Sequence, residues 1–283
     1  MKGIILAAGK GTRLYPLTDV TPKALLPLYD KPMIYYPLST LLENGIKEIL
    51  IICNLQDMPN FRRIVGNGSR FGVKIKYKHQ IKPKGIADAF IIGKNFIKDD
   101  NVTLILGDNV FYGDRGVFRR AFNDFRSGAT VFGYEVKDPE RYGVVEFASQ
   151  KAISIEEKPN SPKSNYAIPG LYIYDNSVLD VAANLKPSKR GELEISDVNK
   201  YYLENGTLKV YKINRGCAWL DAGTPQSFIE AANYISVIEK RQGVKIGCPE
   251  EIALKKKFVK KDVFRKNIDK MPNSEYKSYL QSL

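Results

Sequence analysis

Gly3-Ile4-Ile5-Leu6-Ala7-Ala8-Gly9-Lys10-Gly11-Thr12-Arg13-Leu14 is the stretch on which the fold turns. Its first half, Gly3–Ala8, is an uninterrupted apolar run, which is how a strand buried on both faces of a parallel sheet reads. The run stops at Gly9 and Gly11, with Lys10 and Arg13 beside them. Ligands of open α/β sheets bind outside the carboxyl ends of the strands, so a phosphate is expected here. Glycines let backbone N–H groups approach phosphate oxygens, and the two cations add charge. The spacing is not that of a Walker A loop, and Leu14 stands where the dinucleotide fingerprint needs its third glycine. Neither a P-loop ATPase nor an NAD site is supported. Taken alone, the loop also reads as a plain glycine turn.

The segments that follow keep the rhythm of an α/β protein. Pro22-Lys23-Ala24-Leu25-Leu26-Pro27 holds Lys23 between prolines, within reach of the glycine loop, as a candidate second phosphate ligand. Pro32–Asn44 has helical spacing and stops at Gly45, a C′ position. Glu48–Cys53, Val102–Leu106 and Ala129–Glu135 read as strands, and Gly85–Ile97 and Val117–Arg126 as helices. This alternation predicts a mostly parallel sheet with helices on both faces. From about Tyr142 the rhythm changes. Gly143–Phe147, Ile153–Glu157 and Gly170–Tyr174 predict a smaller mixed sheet, followed by helices over Ser177–Asn184 and Ile195–Glu204. Thr224 caps a helix with Pro225 at its first position and Phe228, Ala231, Ala232, Ile235 and Ile238 on one face. The polar, mostly helical stretch Pro249–Leu283 could not bury a core alone.

Composition bounds the rest. A chain of 283 residues suits one large domain, or a core with a smaller annex. Its 43% hydrophobic and 27% charged residues are ordinary globular usage, which excludes disorder, fibre and disulfide scaffold. No apolar run reaches the roughly 18–20 residues that span a bilayer, and no signal-peptide pattern opens the chain. Cys53, Cys217 and Cys248 are odd in number and widely spaced, as free thiols of the cytoplasm are. The only histidine, His79, argues against a histidine-ligated metal and against a Ser-His-Asp machine. The net charge of +13 suits polyanions, but no nucleic-acid recognition motif accompanies it, and a solvated lysine-rich surface explains it equally.

Two aspartates follow apolar runs at distant places: Leu104-Ile105-Leu106-Gly107-Asp108-Asn109 and Ala218-Trp219-Leu220-Asp221. Magnesium takes one or two carboxylates plus waters and substrate phosphates, so the pair could hold it if their strands are neighbours. Each could instead cap its next segment. In Glu156-Glu157-Lys158-Pro159, strand alternation puts Glu156 and Lys158 on one face and Glu157 on the other. The lysine could neutralise a phosphate and a glutamate could bind sugar hydroxyls; a solvated edge strand is the alternative.

Together these pieces resemble the sugar-nucleotide pyrophosphorylases, and within them the thymidylyltransferases of glucose 1-phosphate. The resemblance runs from Met1 to about Ala253. Besides the blocks above, it rests on Tyr29-Asp30-Lys31-Pro32-Met33-Ile34-Tyr35-Tyr36-Pro37, Asp138-Pro139-Glu140-Arg141-Tyr142-Gly143-Val144-Val145-Glu146-Phe147 and Arg190-Gly191-Glu192-Leu193. It implies a Rossmann-like α/β core over residues 1–240, with a nucleotide part at about 1–135 and a sugar-binding part at about 136–224. A helical annex over 241–283 follows. The implied reaction joins dTTP and glucose 1-phosphate into dTDP-glucose and pyrophosphate, for dTDP-sugars such as dTDP-rhamnose. By that likeness Ala8, Gly9, Gly11, Thr12 and Arg13 cradle the triphosphate, and Lys23 faces the phosphates. Gln80 and Gly85 read the base, and Asp108 and Asp221 hold Mg2+. Lys158 neutralises the sugar phosphate, with Gly143, Glu157, Ile168 and Glu192 around the sugar. Arg13, Lys23 and Lys158 are the catalytic cations. The likeness also implies a homotetramer, and neither nucleic acid nor membrane as partner. Ala8, Ala24 and Pro169 stand where the thymidylyl pattern usually has Gly, Gln and Thr. A uridylyltransferase therefore remains the second reading, and a silent nucleotide-sugar-binding subunit the third.

Overall fold

A computed structural model describes residues 1–283. The chain runs through β1 (Lys2–Leu6), a hairpin of β2 (Pro27–Leu28) and β3 (Lys31–Pro32), α1 (Tyr35–Glu43), β4 (Glu48–Cys53), α2 (Met58–Val65) and β5 (Lys74–His79). It continues with α3 (Asp88–Ile97), β6 (Val102–Leu106), β7 (Asn109–Gly113), α4 (Gly116–Asp124) and β8 (Ala129–Glu135). The second half carries β9 (Gly143–Ala148), β10 (Lys151–Glu157), β11 (Tyr166–Ala167), β12 (Leu171–Tyr174), α5 (Val178–Asn184), α6 (Ile195–Glu204), β13 (Leu208–Lys212) and β14 (Cys217–Asp221). It ends with α7 (Pro225–Gln242), α8 (Pro249–Lys255), α9 (Lys261–Asp269) and α10 (Glu275–Gln281).

Ten strands form one mixed sheet in the order β10-β9-β11-β8-β12-β6-β1-β4-β5, with β13 beside β8. β1 lies parallel between β4 and β6, and β5 adds to β4 in parallel. Period-2 alternation sends the central side chains to two cores. Ile5, Ile49, Ile51 and Ile105 pack with α1, α4 and α8, while Ile4, Leu50, Ile52 and Leu104 pack with α3, α5 and α6. β12 reverses direction against both β6 and β8, and from there the sheet is mostly antiparallel. The short strands expected as a smaller sheet therefore continue the main one through β8. A separate pair, β7 with β14, stands at the end of β6.

Two helices begin later than the sequence predicts. Pro32 belongs to the β2–β3 hairpin, so α1 starts at Tyr35. Gly85, with φ of +99°, lies in a loop before α3. A Cβ there would sit 2.4 Å from Leu193 O, an approach only glycine permits. α2 and β5 have no counterpart in the sequence reading, because Lys74, Lys76 and Lys78 make the edge strand look polar. α7 begins as expected, with reciprocal bonds between Thr224 and Ser227. The C-terminal helices bury Ile252, Phe264, Ile268 and Leu280 in the core of α1. Tyr276 and Tyr279 also donate to Glu250 (2.7 Å) and Glu251 (2.8 Å).

Candidate active site

Three adjoining hollows run along the carboxyl ends of the central strands. The second, of about 180 Å³, is walled by Leu6, Gly9, Lys23 and Asp108. Asp108, Leu106 and Ile86 are also walls of the first, of about 200 Å³. Gly9 is shared with the third and widest, of about 840 Å³, which holds Lys10, His79 and Gln80.

The glycine loop takes its shape from close packing. Gly11 has φ of +62°, and a Cβ on it would lie 2.8 Å from the Thr18 methyl carbon. Thr18 Oγ1 donates to Gly11 O (2.9 Å), and Leu14 N donates to the same carbonyl (2.8 Å). Of the predicted cradle, Gly9 faces two hollows and Arg13 reaches the first. Ala8 instead turns into the α3 core, and Thr12 is exposed at the start of a 3₁₀ turn.

Asp108 and Asp221 converge. β7 pairs antiparallel with β14 so that Asn109 stands opposite Asp221, and Asp108 immediately precedes Asn109. Asn109 is a fastener that sequence reasoning missed. Its amide donates to Asp108 (2.8 Å), while its oxygen accepts from Trp219 Nε1 (2.7 Å) and Gly170 N (2.9 Å). Burial pushes the Asp108 carboxyl up, but the Lys23 ammonium in direct ion pair with it and the Asn109 amide outweigh that and hold it below its ordinary value. Burial and then the Asp108 charge push Asp221 above its ordinary value, against Lys23, Arg13 and Arg141. A carboxylate whose charge is disfavoured by a second one beside it suits a dication. No cluster of three or more His, Cys, Asp or Glu side chains encloses a metal. Two convergent carboxylates are a donor set that could hold a divalent cation whose remaining ligands come from water and phosphate.

The first hollow continues away from the aspartates. Glu157 accepts from Ser196 Oγ on α6, and Gly143 leaves the space above them open. Lys158 has φ of +42°, so strand alternation breaks at the end of β10. As a result Glu157 and Lys158 both wall the hollow, whereas Glu156 turns out to Lys163 (3.2 Å). This reverses the expected grouping of Glu156 with Lys158. Ile168 also lines the hollow, its N–H donating to Gly143 O (2.8 Å). Arg141 enters from the Asp-Pro-Glu-Arg-Tyr block: it donates to Asp138 (2.5 Å), lies over the Tyr142 ring and stands 3.7 Å from Asp221. Burial, then Asp221, push Tyr142 up to about 12.

Besides Ala8, Gly11 and Thr12, two predicted residues stand outside these walls. Glu192 pairs with Arg190 (3.3 Å) at the surface; Ser196 and Asn199 occupy the α6 side of the hollow instead. Gly85 is wedged on Leu193, whose N–H donates to Lys84 O (2.7 Å) while its carbonyl accepts from Ala87 N (3.2 Å). Gln80 is buried in the third hollow, with its amide donating to Asp88 (2.8 Å). The signal for Arg141 was its motif; Ser196 and Asn199, on an ordinary amphipathic helix, gave none.

A mixed sheet with a glycine loop at its central strand and paired aspartates beside it defines a nucleotide-handling α/β enzyme. The chain belongs to the nucleotidyl transferase family, whose model matches residues 2–237. It is 52% identical to the glucose-1-phosphate thymidylyltransferase of Mycolicibacterium smegmatis, over 100% of this chain and 99% of that one. The enzyme of the same name from Neisseria meningitidis is 51% identical with the same coverage. A Bacillus anthracis crystal structure assigned as that enzyme, in complex with sucrose, superposes with a TM-score of 0.78 at 44% identity, covering 83% of this chain and 94% of that one.

Proposed function

We propose that this protein transfers a thymidylyl group from dTTP to glucose 1-phosphate, giving dTDP-glucose and pyrophosphate. The observation that carries the reading is Asp108, the shared wall between the glycine-loop hollow and the hollow of Glu157 and Lys158. Two phosphate esters lying in those hollows would meet there. An oxygen of the sugar phosphate attacks the α-phosphorus, and the bond from that phosphorus to the departing pyrophosphate breaks. Arg13 and Lys23 neutralise the triphosphate and the leaving group. Lys158 neutralises the incoming phosphate, and Arg141 adds positive charge. Glu157, held by Ser196, accepts from sugar hydroxyls. Asp108 and Asp221 are the residues that would hold Mg2+, which supplies charge neutralisation for the phosphates. The cations and the fixed hollows position and screen two polyanions, and such positioning can be worth roughly 7–11 kcal/mol.

The same reading takes the base near Gln80, divides the core into nucleotide and sugar parts near residue 135, and sets the annex from 241. It goes with a cytoplasmic enzyme, consistent with three free and buried cysteines. It also goes with a homotetramer, for which the exposed Ile229 and Val237 on one face of α7 are a candidate contact. No helix is long and apolar enough to cross a membrane. The deciding experiment measures pyrophosphate release with glucose 1-phosphate and magnesium while dTTP and UTP compete. A higher kcat/KM for dTTP is expected. Preference for UTP would move the protein to the uridylyl branch, and tight binding with no release from either would make it a silent binding subunit.

A further inference from the structure

Both carboxylates at the junction of the hollows already have a cation against them. Lys23 Nζ forms a direct ion pair with Asp108 Oδ2, and Arg141 Nη2 stands 3.7 Å from Asp221 Oδ2. Arg13 closes on the same point: a Cβ placed on Gly223 would lie 2.9 Å from Asp221 Oδ1 and 3.1 Å from an Arg13 guanidinium nitrogen. Three cations face the two carboxylates, and Arg141 also pairs with Asp138 (2.5 Å), so in the free protein the charge of Asp108 and Asp221 is already answered where a divalent cation would bind. A metal ion entering alone would have to displace the Lys23 ammonium from Asp108 and lie close to Arg13 and Arg141 with no phosphate to offset their charge. A nucleoside triphosphate changes the balance. Lys23 lies on the 3₁₀ turn Lys23–Leu25 and walls the second hollow together with Gly9. Its ammonium therefore has an alternative position against a phosphate in that hollow. Arg141 Nη2 is buried and makes no hydrogen bond, so its hold on Asp221 is incomplete and Lys23 is the stronger occupant.

We propose that Lys23 is an exchangeable counterion that gates metal entry: it occupies Asp108 in the free protein, and the polyphosphate of the nucleotide draws it away so that metal and nucleotide bind together. The inference rests on Asp108 being a metal-holding residue. It assigns Lys23 a positioning role that precedes chemistry and can be read without turnover.

The test is Mn2+ binding to the full-length protein by calorimetry, with no sugar phosphate present. Wild type alone should bind Mn2+ weakly, and addition of dTTP should tighten it. Lys23→Met, in the absence of nucleotide, should bind Mn2+ at least about tenfold tighter than wild type, because the competing charge is gone. Lys23→Arg keeps the charge and should bind as weakly as wild type, which separates charge from any structural damage in the methionine variant. Asp108→Asn should erase the gain in the double variant. Equal or weaker Mn2+ binding by Lys23→Met, with Asp108-dependent binding intact in the dTTP complex, overturns the gate alone. Binding in the dTTP complex that ignores Asp108→Asn removes the metal site, and the gate with it.

Discussion

In the parallel half of the sheet, β1 and β6 lie side by side, and their candidate functional residues follow within three positions of the strand ends: Gly9 after Leu6, Asp108 after Leu106. In the antiparallel half, the hollow around Glu157 is walled by β9, β10, β12 and α6, which come from points up to about fifty residues apart. The first region is a property of strand ends. The second is a property of how elements cross. The difference teaches where each kind of site tolerates change. A strand-end residue is fixed by local backbone, so its loss removes chemistry and leaves the scaffold. A residue such as Ser196 acts through a partner, so its loss degrades the recognition of one substrate.

The largest effect separates the halves from their junction. Asp108→Asn keeps the size and the Asn109 contact but removes the charge shared by both hollows. Its kcat/KM should fall on the order of 10²-fold or more, with the thermal midpoint little changed. Turnover within a factor of a few of wild type would sink the metal and junction roles together. A middle-sized effect tests the independence of the second region. Ser196→Ala leaves Glu157 without its hydroxyl donor and should raise KM for glucose 1-phosphate about tenfold while leaving KM for dTTP as it is, the scale of one hydrogen bond to a charged group. If both KM values rose together, the two regions would be one cooperative unit. Gly85 and Leu193, joined backbone to backbone, would be the place to look for the coupling.

The smallest effect concerns the cores rather than the hollows. Burial pushes the thiols of Cys53 and Cys248 up to about 12 and that of Cys217 up to about 11. In the unfolded chain a thiol titrates near roughly 8.5. Between that pH and the raised native values the unfolded state releases protons first, so the thiols contribute stability below about pH 8.5 that is lost as pH rises. Iodoacetamide at pH 8 should leave the native protein unmodified and label all three cysteines in denaturant, as intact mass would record. Rapid native labelling of Cys53 would mean that the parallel half opens more readily than its packing implies.

The sequence made the central parallel strands legible because each is an apolar run with no competing reading, and β1, β4 and β6 lie where the runs lie. It was silent on β5 because an edge strand needs lysines against further pairing, which blurs its apolar signal. It placed Glu156 beside Lys158 because alternation was carried one residue too far; the positive φ at Lys158 turns that side chain to the face of Glu157. Glu192 was assigned by motif, but the turn at Gly191 leaves it at the surface with Arg190, while the next helix supplies Ser196 and Asn199.

By itself, then, the sequence determined the kind of sheet, the glycine loop on its central strand, the capped helix at Thr224 and the residue types able to manage phosphate. All of these are encoded within a few consecutive residues, where backbone preference and burial pattern act. Only the tertiary structure decided that Asp108 and Asp221 share a point, that Lys23 already occupies one of them, and that α6 closes the hollow of Glu157. Those facts depend on strand order and helix packing, which no local stretch of chain contains.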